Sequence, residues 1–291
     1  MSLSILIPCY NWDVYQLIKD LQKQCIEEYS IDNFEILCIE DGSKNYFQNN
    51  KIDMIEGVRY EIRTKNIGRS AIRNLLSKKA RFSWLLFIDC DSKIVTKNFI
   101  ESYKKNIGTN EKTVFYGKTT YPKNTLNKKT ILHEKYGRII ESKRKKDFFS
   151  SHHFLIHKNC FQEIRFDEKI KSYGYEDVLF QIESNYSFQY IDNTLCHIGL
   201  KSNEKFLQDC EESLRNITKY IDNKNIINQI KILRYWQTLS RCYLDKIISV
   251  LFNIFQPTIK RNLLSKNPNL TLLQIYKMGF LIKEIKRLPS S

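Results

Sequence analysis

Short apolar runs alternate with longer stretches of helical spacing over the first ninety residues. Residues 3–7, 34–39, 58–62 and 84–88 read as strands. The first, second and fourth are apolar on both faces, as expected of central parallel strands covered on both sides. Between them Val14, Leu17, Ile18 and Leu21 recur at helical spacing, and residues 66–76 fit a second helix with Ile72, Leu75 and Leu76 inward. Repeated β-α-β alternation predicts an α/β fold with a doubly wound sheet. Such sheets bind ligands beyond the carboxyl ends of their strands. Those ends carry Pro8-Cys9-Tyr10-Asn11, Glu40-Asp41-Gly42-Ser43, Thr64-Lys65-Asn66 and Asp89-Cys90-Asp91-Ser92.

Past residue 92 the pattern changes. It predicts a helix over 99–105, strands over 113–121 and 154–156, and a lysine-rich surface insert, mobile or helical, over 123–146. From about residue 204 the spacing is helical: Phe206, Cys210, Leu214 and Ile217 share one face, and Ile226, Ile227, Ile230 and Leu233 another. The expected organisation is an α/β domain over 1–203 and a helical, basic C-terminal region over 204–291.

Composition narrows the classes. Of 291 residues 42% are hydrophobic, too many for intrinsic disorder. The formal charge of +15 invites a nucleic-acid or membrane-surface reading. It is local, however: residues 201–291 hold 16 basic and 7 acidic residues and 117–146 hold 10 and 2, while the remainder is slightly acidic. The opening Met1–Pro8 has no basic n-region or cleavage site and reads as a buried strand, which predicts a cytoplasmic protein, free or peripheral on the cytoplasmic face of the membrane. Eight cysteines without a C-x-x-C pair read as small core residues. The apolar run 247–255, interrupted by Ser249 and Asn253, is far short of the roughly 20 residues a spanning helix needs.

The strongest chemical feature is Asp89-Cys90-Asp91 after the apolar strand 84–88. In an extended chain residues i and i+2 point the same way, so two carboxylates share one side, and a divalent cation relieves their repulsion while staying open to phosphate oxygens. Asp41 can accept from a base N–H, with Gly42 permitting the turn that presents it. Tyr10 can stack on a base.

Together these residues resemble the family 2 glycosyltransferases of the GT-A fold, of the type that assembles bacterial glycans, over roughly residues 3–200. The family's P-x-Y-N stands here as Pro8-Cys9-Tyr10-Asn11, its D-D-G-S as Glu40-Asp41-Gly42-Ser43, its N-x-G-x-x-x-A-R-N as the segment from Asn66 to Arg73 and Asn74, and its D-x-D as Asp89-Cys90-Asp91. Glu40 replaces the usual first aspartate, and Ser70-Ala71-Ile72 alters the order before the arginine. The resemblance implies a UDP-sugar donor with Mn²⁺ or Mg²⁺. Pro8, Tyr10, Asp41, Asn66, Arg73 and Asp89 would then line the donor site, Tyr10 stacking on uracil and Asp41 accepting from its ring nitrogen. Asp91 would hold the metal against the diphosphate, and His197 would complete the metal site or contact the diphosphate, unless it is simply structural. Gly174-Tyr175-Glu176-Asp177 looks like the family's E-D motif, which makes Asp177 the general base and Glu176 a contact to acceptor hydroxyls. The implied reaction is an inverting hexosyl or N-acetylhexosaminyl transfer to a saccharide or lipid-linked acceptor. His152 and His153 are candidates for the acceptor or donor-sugar pocket.

Other fragments fail on spacing. Gly117-Lys118-Thr119 lacks the first glycine of a phosphate loop, His133-Glu134 lacks the second histidine of a zinc-protease helix, and no G-x-G-x-x-G follows the first strand. The competing readings are a basic nucleic-acid-binding protein, which would need a recognition helix or an aromatic-studded basic strip that is not evident, and a sugar-binding protein without catalysis. No nucleic-acid partner is expected. The basic tail with Ile247, Ile248, Val250, Leu251, Phe252, Ile254 and Phe255 suits either an anionic membrane surface or packing against the catalytic domain or a second subunit, as in a homo-oligomer formed through the C-terminal helices.

Overall fold

The computed structural model describes residues 2–122, 127–143, 148–170 and 174–288. Among these, β1 (Leu3–Cys9), β2 (Phe34–Asp41), β3 (Val58–Arg63), β4 (Trp84–Ile88), β5 (Ser92–Ile94), β6 (Thr113–Thr120), β7 (His153–His157) and β8 (Ser187–His197) form one mixed sheet in the order β3-β2-β1-β4-β7-β6-β8-β5. The helices are α1 (Tyr15–Glu28), α2 (Arg69–Lys79), α3 (Phe99–Lys104), α4 (Ile131–Ile139), α5 (Lys158–Ile164), α6 (Glu176–Glu183), α7 (Asn203–Thr218), α8 (Lys224–Gln229), α9 (Lys231–Arg241), α10 (Leu244–Leu263) and α11 (Leu270–Ile285). The expected doubly wound α/β sheet is present.

The chain divides into two compact units, described over their described residues. One holds Met1–Pro122, Ile140–Lys171 and Glu176–Gly199; the other holds Lys123–Ile139, Ser172–Tyr175 and Leu200–Ser291. In the first, β3, β2, β1 and β4 run parallel and β7 turns antiparallel against β4. Side chains alternate across these strands with period two. Ile5, Ile7, Ile36 and Leu86 pack with Leu17, Ile18 and Leu21 of α1 and Phe99 and Tyr103 of α3. Leu6, Leu37, Ile39 and Phe87 pack on the opposite face with Ile72 and Leu76 of α2, Phe161 of α5 and Phe180 of α6. At about 1.5–3 kcal/mol per buried side chain, these two faces are what hold the strand ends in place.

Strand order reverses between β1 and β4, which opens a crevice beyond their carboxyl ends. The β1–β4 ladder ends at Leu6–Phe87 while β1–β2 pairing runs on to Cys9–Glu40. Pro8 therefore sits past the last β1–β4 pair, where its missing N–H interrupts nothing on that side.

Several local readings needed correction. The helix expected over 66–76 starts at Arg69, because Gly68 at its N-cap is held at φ +91°. Two strands, β5 and β8, escaped the hydrophobic pattern. The lysine-rich insert contains α4, with Leu132, His133, Glu134 and Tyr136 buried; its residues 123–126 and 144–146 lie outside the described residues. The apolar set 226–233 is split, since Ile230 is extended between α8 and α9.

The second unit is helical. α4 lies on α7: the Leu132 amide donates to Asn203 Oδ1 (2.9 Å), the Lys201 amide donates to His133 Nδ1 (2.9 Å), and His133 stacks on Phe206 with centroids 4.7 Å apart. α10 packs on α11 through Phe252, which meets Tyr276 edge-on at 5.4 Å and fills space left by Gly279.

Candidate functional site

The loops after β1 and β2 are stitched together by their own polar groups. Asn11, at φ +50°, accepts from the Lys44 amide (2.8 Å) through its side-chain oxygen, and its own amide donates to Ser43 Oγ (2.7 Å). Glu40 is fully buried and accepts from Ser43 Oγ, Asn49 Nδ2 (3.2 Å) and Tyr60 OH (2.8 Å). Asn49 in turn ties the segment after β1 through Val14 and Trp12. A carboxylate with three donors has the partners that a buried charge needs. Glu40 thus braces these loops, and Tyr10, which follows β1, is 48% exposed.

Asp41 anchors the start of α2. Its two oxygens accept from the Ile67 (2.9 Å) and Gly68 (3.1 Å) amides, while Asn66 Nδ2 donates to the Asp41 carbonyl (2.8 Å). Burial raises its carboxyl pKa, opposed by those amides and by Arg63. A base N–H would have to use a remaining lone pair on these oxygens. Gly42, at φ +67°, is obligatory: a Cβ there would lie 2.6 Å from the Lys65 carbonyl carbon.

At the end of β4 the two carboxylates of Asp89 and Asp91 have different partners. Asp89 Oδ1 accepts from Arg73 Nη2 at 2.6 Å, and the Arg73 guanidinium lies 5.3 Å from the Phe166 ring. Nε and Nη1 of Arg73 are buried without a hydrogen-bond partner among the described residues. Burial pushes the Asp89 carboxyl up, against the pull of Arg73. Asp91 Oδ2 meets His197 Nε2 at 3.2 Å. Burial would push Asp91 up, yet His197, His152 and Arg69 hold it well below the usual carboxylate range; burial would lower His197, yet Asp91 keeps it above the ordinary imidazole value.

Strand pairing creates the Asp91–His197 contact. β5 pairs antiparallel with β8, Ser92 opposite His197, and the Ile198 amide donates to the Asp91 carbonyl (2.8 Å). Gly199 lies flat on the carboxylate, where a Cβ would come within 2.7 Å of Asp91 Cγ. His152 stands behind, hydrogen-bonded to Ser92 Oγ and Thr119 Oγ1, both at 3.0 Å, its ring 5.4 Å from that of His197. His153 points into the core, bonded to Tyr103 OH (2.7 Å) and the Lys118 carbonyl (3.3 Å). Both rings are buried with both nitrogens engaged, so neither is open to a sugar as expected from sequence.

Glu176 and Asp177 occupy the first turn of α6, where the helix dipole favours acids. Asp177 is half-buried and its Oδ1 accepts from the Val178 amide (2.8 Å). Glu176 is buried 3.9 Å from Arg69 Nη1. Arg69 acts electrostatically on Asp89 and Asp91 as well, so one guanidinium serves both acidic motifs. Sequence reading passed over Arg69, although it follows the glycine that starts α2. The packing of Gly199 on Asp91 and the place of His152 behind His197 carried no sequence signal of their own.

Among the described residues no three His, Cys, Asp or Glu side chains converge as a ready cation cage. Asp91 and His197 still fit a divalent ion. Their 3.2 Å separation is close to the roughly 3 Å between neighbouring corners of an octahedron with bonds of about 2.1 Å. Carboxylate oxygen and imidazole nitrogen both suit Mn²⁺, and the other corners remain for water and phosphate.

Residues 4–170 match the model of glycosyl transferase family 2. The chain belongs to that family. Its GT-A fold is shared with solved structures of low identity. S. aureus TarS 1–349 aligns with TM-score 0.52 and 16% identity over 99% of this chain and 92% of its own. The same enzyme in complex with UDP-GlcNAc gives 0.52 and 18% over 77% and 67%. The mannosyltransferase PcManGT from Pyrobaculum calidifontis, in complex with GDP-Man and Mn²⁺, gives 0.60 and 11% over 97% and 86%. The match spans 40% of the longer TarS chain. A search of curated protein sequences gave no match. The segments that resemble the family's motifs lie at the carboxyl ends of β1, β2, β4 and β8 and at the starts of α2 and α6.

Proposed function

We propose that this family 2 member is a metal-dependent inverting enzyme that moves a hexosyl or N-acetylhexosaminyl group from a UDP-sugar to a hydroxyl of a saccharide or lipid-linked acceptor. The observation that carries the reading is the Asp91–His197 pair at 3.2 Å, set by strand pairing at the crevice edge beside an Arg73-held Asp89. Fold relatives captured with UDP-GlcNAc or with GDP-Man and Mn²⁺ support a nucleotide-sugar donor.

The exposed Tyr10 offers a face for uracil, with Pro8, Asp41 and Asn66 lining the same donor site. Asp89, fixed by Arg73, faces the ribose. Mn²⁺ or Mg²⁺ held by Asp91 and His197 would supply positive charge against the leaving diphosphate. Asp177 takes the proton of the acceptor hydroxyl as that oxygen bonds to the anomeric carbon. The bond from this carbon to the diphosphate oxygen breaks, its electron pair departs with UDP, and the configuration inverts. Glu176, placed by Arg69, holds the acceptor's hydroxyls.

A donor screen reading metal-dependent UDP release from UDP-sugars, repeated with Asp91→Asn and Asp177→Asn, tests the proposal. The wild type should turn over at least one donor, and both variants should lose activity while remaining folded. Full activity in either variant removes the site assignment, and release from GDP-sugars alone replaces the donor class.

A further inference from the structure

Helix α10 has two apolar faces, and α11 covers one of them. Phe252, Ile259 and Leu263 are buried on that side. Round the cylinder, Leu244, Ile247, Leu251 and Ile254 follow one another three or four residues apart, flanked by Tyr243, Val250 and Phe255. All seven are 43–72% exposed. At 1.5 Å per residue this ridge runs for about 18 Å. Scattered apolar side chains on a surface need no explanation, but a contiguous stripe of seven does.

The charge around the ridge identifies what covers it. From Lys231 to Leu263 the chain carries six basic residues, Lys231, Arg234, Arg241, Lys246, Lys260 and Arg261, all exposed, and one acid, Asp245. Two copies meeting through this face would bring like charges together. A single helix is also convex, and acyl chains conform to a ridge without a preformed groove. No helix among the described residues is long and apolar enough to cross a bilayer. An apolar stripe edged by lysine and arginine is the pattern of a helix lying in the headgroup region of an anionic membrane.

We infer that the exposed face of α10 is a docking surface for an anionic lipid bilayer, with Tyr243, Leu244, Ile247, Val250, Leu251, Ile254 and Phe255 inserted and the flanking basic side chains on the lipid phosphates. This binding needs neither donor nor metal, so it stands or falls apart from the transferase reading.

Co-sedimentation of the full chain with vesicles tests it. The protein should pellet with an equal mixture of phosphatidylcholine and phosphatidylglycerol, stay in solution with phosphatidylcholine alone, and be released by molar salt. Ile247→Ser with Ile254→Ser should weaken binding roughly tenfold or more. Lys246→Gln with Arg261→Gln, the basic residues of α10 nearest the ridge, should weaken it about 25-fold, at about fivefold per basic residue near such a surface. These positions are exposed, so circular dichroism and thermal midpoint should be unchanged; the two pairs change different properties, and either serves if the other fails to fold. Equal pelleting with neutral and anionic vesicles, no pelleting with either, or wild-type affinity in a folded variant pair overturns the inference. A dimer in sedimentation velocity that Ile247→Ser with Ile254→Ser dissociates gives the face to a second copy and overturns it equally.

Discussion

Asp91 Oδ2 and His197 Nε2 lie 3.2 Å apart although 106 positions separate them in the chain, because β5 pairs with β8 so that Ser92 faces His197. Gly199 closes against the same carboxylate. Gly199→Ala should push the carboxylate out of line with His197 and weaken Mn²⁺-dependent UDP binding by roughly 10–100-fold, with the fold retained. Thermal shift with UDP plus Mn²⁺ checks this, and an undiminished shift would show that Gly199 does not fix the carboxylate.

Arg73 and Asp89 form the second pair in this crevice. Arg73 is almost wholly buried, and Arg73→Met strands the Asp89 carboxylate in a place where burial already raises its pKa. Urea unfolding at pH 7 should give a loss of about 3 kcal/mol. A loss below about 1 kcal/mol would mean that water supplies what the guanidinium does.

The two acids of α6 should separate kinetically. Asp177→Asn should lower kcat by roughly 10²–10⁴-fold with the donor KM little changed, as expected of a proton acceptor. On the proposed role of Glu176 as an acceptor contact, Glu176→Gln should raise the acceptor KM more than it lowers kcat. The reverse pattern in initial-rate kinetics would exchange their roles.

His153 couples stability to pH. Burial lowers its pKa from 6.5 to about 4, so the native state resists the proton that the unfolded chain accepts. Stability from this group is complete above pH 6.5 and falls as pH drops toward 4, by about 3 kcal/mol in all. His153→Gln should lessen the slope of unfolding free energy against pH across that window, leaving the share of the neighbouring His152, which burial also holds well below its ordinary value. The same slope in variant and wild type would assign the acid sensitivity to another group.

The sheet's parallel half was legible because its strands are buried on both faces and write continuous apolar runs. β8 was not: of its eleven residues only Asn193, Leu195 and Cys196 are buried, so no run stands out, and β5 has three residues in all. His197 was nameable as a candidate ligand, but the reason it reaches Asp91 is a pairing between two strands the pattern does not reveal. α4 was hidden in the opposite way. Lysines dominate the count around it, while the groups that dock it on α7, the Leu132 amide and the His133 ring among them, are too few to set a pattern. Glu40 illustrates a third limit. Its departure from the family's aspartate is visible in sequence, whereas its contacts with Ser43, Asn49 and Tyr60 come from residues up to 20 positions away.

The metal assignment is best judged by Mn²⁺ binding itself, followed by electron paramagnetic resonance with UDP present. The wild type should take up one equivalent of Mn²⁺ with UDP, and Asp91→Asn and His197→Gln, each folded, should lose that uptake by at least about tenfold. Wild-type uptake in both variants would contradict a site built on Asp91 and His197.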